Sequence, residues 1–117
     1  MARSEVIVSD MDRNADNAVT KDAYDIANGH YIDINDVQDE DLTIFIEASD
    51  TKAATIVVKS GDQYASIAGD LEITTGAAGL HCLELESARF KDNDGYILID
   101  ITSAAGAAGN IFATKKY

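Results

Sequence analysis

Four oxygen-bearing side chains near the N-terminus alternate along the sequence: Asp10, Asp12, Asn14 and Asp16. Alternating carboxylates and amides are typical of the loops that wrap Ca²⁺. Such a loop also needs glycine at its sixth position and a bidentate glutamate at its twelfth, where this chain has Ala15 and Lys21. In a chain with 21 acidic residues, aspartates also cluster without binding anything. The sequence therefore predicts no metal site and no cofactor, and leaves open whether these four residues bind an ion.

The side chains that act as nucleophiles or zinc ligands are scattered. Ser66 lacks the strand-to-helix turn of a nucleophile elbow. His30, His81 and Cys82 lack the ligand spacing of a zinc site, and we expect each histidine to be structural or solvent-exposed. Cys82, the only cysteine, stands among apolar neighbours and is expected to be a buried, unreactive thiol.

Paired carboxylates are the remaining catalytic option. Glu84 and Glu86 share one face of a predicted strand, but glycoside cleavage needs a pair in which one pKa is raised. Outward, solvated residues explain this alternation better. No glycine-rich segment has the order of strand, loop and helix that a phosphate site needs. The sequence predicts no catalytic residue, and the protein is not expected to be an enzyme.

Length and charge limit the other possibilities. The 117 residues are enough for one domain, and 46% of them are hydrophobic, which is enough for one core. The formal net charge of −12 repels phosphate backbones and anionic lipids, so we expect neither nucleic acid nor a membrane as a partner. Two interpretations stay open. The charge serves solubility alone, or the acidic residues face solvent while a less charged patch faces a partner.

Short apolar segments with a period of two dominate the chain. Every second side chain falls on one face in the clearest runs, which are residues 42–48, 71–74, 83–86 and 96–101. This period indicates half-buried strands, and several strands at short spacing indicate a sandwich or a barrel. Asn28-Gly29 and Asp94-Gly95 predict hairpin turns. We predict an all-β fold, a single antiparallel β-sandwich of jelly-roll or immunoglobulin-like type with about eight to ten short strands.

The N-terminal end differs in composition from the rest. A short apolar run at residues 5–9 is followed by a polar stretch that extends to Asp22. We predict that residues 1–23 form an N-terminal strand or extended arm with a polar loop, and that residues 24–117 form the sandwich domain. The apolar run of the arm can pair with a neighbouring subunit as readily as with its own sheet.

Contacts with a partner are expected at this arm, in the longest loop between strong strands (residues 61–69) and at the last residue. Amphipathic tyrosines favour interfaces, and two of them occupy the middle of that loop and the end of the chain. The predicted interface residues are Val6, Ile7, Val8, Tyr64, Ile67 and Tyr117.

Taken together, several segments resemble a set of small structural proteins of tailed bacteriophages that decorate the outside of the capsid. The matching segments lie within residues 24–114 and are Asn28-Gly29-His30, 42–48, 53–59 with Gly61-Asp62, 69–73, Leu85-Glu86-Ser87-Ala88-Arg89-Phe90, Asp94-Gly95 and the strand that contains Asp100. The run from Leu85 to Phe90 is the best single match.

The resemblance implies a virion component on the capsid exterior that stabilises the assembled head. Such a protein binds the major capsid protein, forms a homo-oligomer, expected to be a trimer, and is synthesised in the host cytoplasm. The absence of an apolar run of membrane length and of an N-terminal signal-peptide stretch agrees with this. Another non-enzymatic phage part, such as a head–tail connector or a tail protein, and a host-surface or glycan-binding module remain alternatives.

Overall fold

A computed structural model describes residues 2–49, 54–75, 79–102 and 108–116. These residues form ten strands, two 3₁₀ helices and one short α-helix. The strands are β1 (Ser4–Glu5), β2 (Val8–Met11), β3 (Asp22–Ala23), β4 (His30–Asp33), β5 (Leu42–Ala48), β6 (Ala54–Val58), β7 (Leu71–Thr75), β8 (Gly79–Leu83), β9 (Tyr96–Thr102) and β10 (Gly109–Lys116). The 3₁₀ helices are Asp39–Asp41 and Tyr64–Ala68, and α1 is Ser87–Phe90. None of the helices in the described part of the chain has the length and apolarity that a membrane crossing requires.

The strands form two sheets that share one core, which confirms the predicted all-β sandwich. The first sheet has the strand order β1-β4-β9-β6-β7. The second has the order β2-β10-β5-β8, and β3 also pairs with β10. Along β5 and β9, buried residues alternate with half-exposed ones. This alternation is the period of two that the sequence displays.

Isoleucine fills the space between the sheets. Seven isoleucines are at most 1% exposed, and they are Ile32, Ile44, Ile46, Ile56, Ile97, Ile99 and Ile111. They come from both sheets, and Phe90 of α1 joins the same cluster. Because β-branched side chains favour extended backbone, the residues that form the strands also fill the core. Each buried isoleucine stabilises the fold by about 1.5–3 kcal/mol.

The structure corrects the prediction of an extended N-terminal arm. β1 pairs with β4 in the first sheet, and β2 pairs with β10 in the second. Val6, between them, is 1% exposed and belongs to the core. The described part of the sandwich therefore begins near Ser4, and its first three strands lie within residues 2–23. Both of these pairs are parallel, whereas the sequence predicts antiparallel pairing throughout.

The structure contains the predicted turn at Asn28-Gly29, but this turn does not connect the two strands of a hairpin. Gly29 has a φ of 76°, as a tight turn requires. The strands on its two sides belong to different sheets, because β3 pairs with β10 and β4 pairs with β9. The turn instead carries the chain across the sandwich. Close contact with the Arg3 side chain and the Asp100 carboxylate leaves no room for a side chain at Gly29.

The second predicted turn is confirmed. Gly95 has a φ of 84°, and its backbone N–H donates to the Asp92 carbonyl. Lys91 and Ile97 form an antiparallel bridge across the turn.

The predicted strand over residues 83–86 is wrong in its extent, because β8 ends at Leu83. The chain leaves the sheet there to enter α1, and the Asp39 carboxylate accepts hydrogen bonds from the backbone N–H and the hydroxyl of Ser87. Leu85 is still buried, at 8% exposure.

A buried polar network joins β1, β3 and β4. His30 is fully buried, and its Nε2 accepts the backbone N–H of Asp25 at 2.9 Å. The proton therefore lies on Nδ1, which donates to the Asp22 carboxylate at 2.7 Å. The Ser4 hydroxyl donates to the same carboxylate. Because both ring nitrogens already have partners, this histidine holds strands together and has no lone pair for a substrate.

We expect His30→Leu to lower the free energy of unfolding by about 2–4 kcal/mol, because it leaves the Asp22 carboxylate and the Asp25 N–H without their buried partner. Urea denaturation at neutral pH measures the loss as a lower midpoint at unchanged slope. His81→Leu is the matched control, since His81 is half-buried on an edge strand, and it should change stability by less than about 1 kcal/mol. Equal effects of the two substitutions would contradict the structural role of His30.

Candidate interaction surfaces

The outer surface of the second sheet carries a row of apolar side chains. Because Ile44 and Ile46 point into the core, Phe45 between them points outward. In the strand register Phe45 lies opposite both Cys82 and Phe112. The two phenylalanine rings stack at 4.9 Å with an interplanar angle of 12°. We call Phe45, Leu80, Cys82 and Phe112 the aromatic face.

The edge of the aromatic face is open to solvent. Leu80 of β8 is 55% exposed, and Cys82 on the same strand is also exposed. The predicted burial of Cys82 is therefore wrong. The reason is the register, which places Cys82 opposite the outward Phe45, whereas its neighbour His81 lies opposite the inward Ile46.

Charges beside the aromatic face compensate each other. The Lys21 ammonium lies 3.1 Å and 3.3 Å from the two carboxylate oxygens of Glu47, and Asn110 donates to one of them. The hydrogen bond from Lys21, followed by that from Asn110, holds the pKa of Glu47 below its ordinary value. The Lys21 ammonium also lies 5.4 Å from the centre of the Phe112 ring. The aromatic face is thus apolar and nearly neutral.

The outer surface of the first sheet is different in charge. Tyr31 and Tyr96 lie side by side there, with ring centres 4.7 Å apart. Glu5 is the register partner of Tyr31, and Asp33 and Asp100 follow at alternating positions of their strands. Loss of hydration raises the pKa of Tyr31, and the Glu5 carboxylate adds to the shift. This surface therefore carries more carboxylates than the aromatic face, and one of them, Asp100, is paired with the Arg3 guanidinium at 2.6 Å.

Tyr64 and Ile67 form a protruding pair. They lie three residues apart on the second 3₁₀ helix, whose three residues per turn place them on one side. Tyr64 is 93% exposed and Ile67 is 95% exposed. Two large apolar side chains with almost no contact to their own domain are unusual on a chain whose surface is otherwise highly charged.

The segment that carries the protruding pair is held firmly at its base. The Arg89 guanidinium donates to the backbone carbonyls of Gly69 and Asp70 at 3.0 Å and 3.2 Å. The Asp70 carboxylate accepts the backbone N–H of Ser60 at 2.6 Å and the Lys59 ammonium at 3.2 Å. The pair is therefore presented on a supported turn.

A shallow groove lies where the chain crosses from β1 to β2. Its apolar lining consists of Val6, Ile7, Val8 and Val37, its charged rim consists of Glu5, Asp33, Asp36 and Lys115, and its volume is about 250 Å³. We call it the valine groove. A second depression of about 340 Å³ adjoins it and is mostly acidic.

The structure separates the predicted interface residues into two groups. Val6, Ile7 and Val8 line the valine groove, although Val6 is available only as part of its floor because it is buried in the core. Tyr64 and Ile67 form the protruding pair elsewhere. Tyr117 lies outside the described residues.

In the described part of the chain, the residues that could act as catalytic groups or metal ligands do not lie together. Within residues 2–49, 54–75, 79–102 and 108–116, no three side chains among His, Cys, Asp and Glu are grouped so that they could hold a metal ion. In the segment of Asp10, Asp12, Asn14 and Asp16, Asn17 closes the loop through hydrogen bonds with the backbone of Asp12 and Ala15. Glu84 and Glu86 are exposed and lie outside any strand.

Comparison with known proteins adds no relative. No protein-family model, curated protein or solved structure matches this chain.

Two of these features are missed by reasoning from the sequence. For the aromatic face the sequence does carry a signal, which is the alternation along β5. Phe45 lies on the same side of the strand as Thr43 and Glu47, and the core isoleucines lie on the opposite side. The His30 network has no such signal, because Ser4, Asp22 and His30 are brought together only by the pairing of β1 and β3 with separate strands.

The turn under the protruding pair should respond to acid. The backbone N–H of Ser60, and then the Lys59 ammonium, hold the pKa of Asp70 below its ordinary value of 3.8. A carboxylate with a lowered folded-state pKa stabilises the protein above its unfolded-state pKa, and this contribution is lost as pH falls through the folded-state value. We expect wild type to lose more stability than Asp70→Asn between about pH 5 and pH 2.

Urea denaturation at a series of pH values measures this difference. Glu72→Gln is the control, because Glu72 is an exposed carboxylate on the adjoining strand and each variant then lacks one carboxylate. A profile of Asp70→Asn that is parallel to wild type would contradict the anchoring role of Asp70.

Proposed function

We propose that this chain is a structural virion protein that binds the outside of a phage capsid and stabilises it, as a homo-oligomer of three copies. The single observation that carries the proposal is the aromatic face, an apolar and nearly neutral surface on a chain with a net charge of −12. The resemblance of residues 24–114 to capsid decoration proteins supports the same role. The protein would be synthesised in the host cytoplasm and reside on the capsid exterior.

The physical argument rests on the difference between the two outer surfaces. The solvent-facing side of an antiparallel sheet is normally polar. Here the second sheet instead presents stacked phenylalanines beside an exposed Leu80, and such a patch is favourable only when another surface covers it. A flat sheet face suits a broad protein surface better than a small ligand, which binds in a concave site.

The outer surface of the first sheet, with Glu5, Asp33 and the Arg3–Asp100 ion pair, would then face the solvent. Its charge would keep decorated particles apart by mutual repulsion. The aromatic face would meet the major capsid protein. This arrangement is the second of the two interpretations that the net charge leaves open, with acidic residues toward water and a less charged patch toward a partner.

Stabilisation of the capsid would follow from mass action. A protein that binds only the assembled lattice stabilises it by RT ln(1 + [L]/Kd) per site, which is about 2.7 kcal/mol when its free concentration is 100 times Kd. Many sites on one particle add up, so a modest affinity at each site is sufficient. The role needs no catalytic group.

The proposal predicts that Leu80→Glu weakens binding to empty expanded heads of the phage that encodes this chain by about 10-fold or more, because it places a charge in the apolar contact. Co-sedimentation of purified protein with these heads measures occupancy against concentration. Thr74→Glu is the matched control, since Thr74 is exposed on the edge strand of the other sheet, and it should bind like wild type.

Two results would overturn the proposal. One is wild-type protein that does not sediment with the heads at any concentration, and the other is Leu80→Glu with wild-type occupancy. A ring of six or twelve copies at the portal in electron micrographs would indicate a connector instead. Binding of the purified protein to host cells or glycans would indicate a host-recognition module.

A further inference from the structure

We infer that copies of this chain assemble head to tail into a closed ring, in which the protruding pair of one copy occupies the valine groove of the next. The inference gives a geometry to the homo-oligomer in the proposed function, but it does not depend on capsid binding. The occupant of the groove is therefore a second copy of the same chain. Three independent features of the fold support it.

The first feature is the position of the two surfaces in the first sheet. One row of paired residues crosses this sheet from edge to edge and consists of Ser4, His30, Ile99, Val58 and Leu71. The helix that carries the protruding pair precedes Leu71, at the β7 edge. The groove lies beyond Ser4, at the β1 edge. Both surfaces fall on the same side of the row, so they are at the same end of the sheet and at opposite edges.

This placement favours a ring over a fibre. A contact between two different surfaces of identical copies is heterologous, and repeated rotation either closes or winds into an open helix. Because the two surfaces lie at the same end of the sheet, one copy is brought onto the next mainly by rotation, with little translation along the rotation axis. Successive copies related mainly by rotation return to the first copy, so the assembly is finite.

The second feature is the match in size, with exposed apolar side chains on both surfaces. The pair offers one aromatic and one aliphatic side chain, both almost fully exposed. The groove is lined by three valines and by Ile7, which is 44% exposed. Its volume of about 250 Å³ lies below the 300–1,000 Å³ typical of small-molecule sites, and it suits one or two side chains.

The third feature is charge. Lys59 and Arg89 contact the segment that carries the protruding pair, and Asp62 and Asp70 belong to the same segment. Asp70 is already paired with Lys59. The rim of the groove is acidic on balance, with Glu5, Asp33 and Asp36 against a single Lys115. The Arg89 guanidinium donates to backbone carbonyls there, and the acidic rim of a second copy attracts this cation.

The area required is available on this molecule. A standard interface covers about 800 Å² on each partner, which is about an eighth of the 6422 Å² of accessible surface. Each copy in a ring takes part in two such interfaces, one through the pair and one through the groove. The aromatic face belongs to the second sheet and stays free.

Sedimentation equilibrium of the full chain in the absence of capsids tests the ring. We expect wild type to sediment as a single closed species at an integer multiple of 12.5 kDa, and the mass gives the copy number. Tyr64→Ser/Ile67→Ser, which we call the pair variant, and Ile7→Asp, the groove variant, should each be monomeric. Each dissociation constant should rise by about 30-fold or more, as for central interface residues. Ile26→Ser is the matched control, because Ile26 is 42% exposed and lies in neither surface.

Mixing the two variants separates a head-to-tail contact from a symmetric one. The pair variant keeps an intact groove, and the groove variant keeps an intact pair. A head-to-tail contact therefore predicts that an equimolar mixture forms a dimer of one copy of each and nothing larger. Circular dichroism of each variant checks that the fold is retained.

Several outcomes would overturn the inference. One is wild type that stays monomeric at about 0.5 mM, which is far above the Kd of a standard interface. Another is a pair variant that assembles like wild type. A third is a mixture of the two variants that stays monomeric. Loss of assembly in Ile26→Ser would also count against it. If the ring forms but fails to bind heads, the proposed function fails while the ring stands.

Discussion

The packing of isoleucine against isoleucine between the two sheets is the constraint on which the rest of this structure depends. Because successive side chains on a strand point to opposite sides, fixing the core positions also fixes what faces outward. Ile44 and Ile46 in the core place Phe45 on the outside. Ile99 and Ile101 likewise place Asp100 on the outside of the other sheet. The same core thus generates an apolar outer surface on one sheet and an outer surface with tyrosines and carboxylates on the other.

The outer face of the second sheet and the edges of the first sheet are suited to different kinds of contact. The outer surface of the second sheet is broad and nearly neutral, and it is suited to a large partner. One edge of the first sheet carries the protruding pair, and the opposite edge carries the valine groove with its acidic rim. A protein that binds a lattice and also forms a homo-oligomer can use these surfaces at the same time. A contact on the outer face of the second sheet does not obstruct contacts at the edges of the first sheet.

Much of the fold follows from sequence periodicity, and the parts that do not have a common physical cause. β5, β6, β7, β9 and β10 lie where alternation predicts them, because local pattern decides which face of a strand is buried. The placement of residues 4–11 depends on pairing with strands 26 and 105 positions away, which no local pattern encodes. The same limit hid the His30 network. For the interaction surfaces, Tyr64 and Ile67 were accessible to sequence reasoning as loop apolar residues, whereas the groove exists only once β1 and β2 cross between sheets.

The parallel pairing of β2 with β10 has a consequence for how the protein is made. Val8 is the register partner of Ala113, and Met11 is that of Lys116. One edge of the second sheet therefore stays incomplete during translation until the last residues of β10 have left the ribosome. Since β10 also lies between β2 and β5, the sandwich closes late and in one step. A chain that stopped before Gly109 would leave β2 and β5 without their shared partner strand.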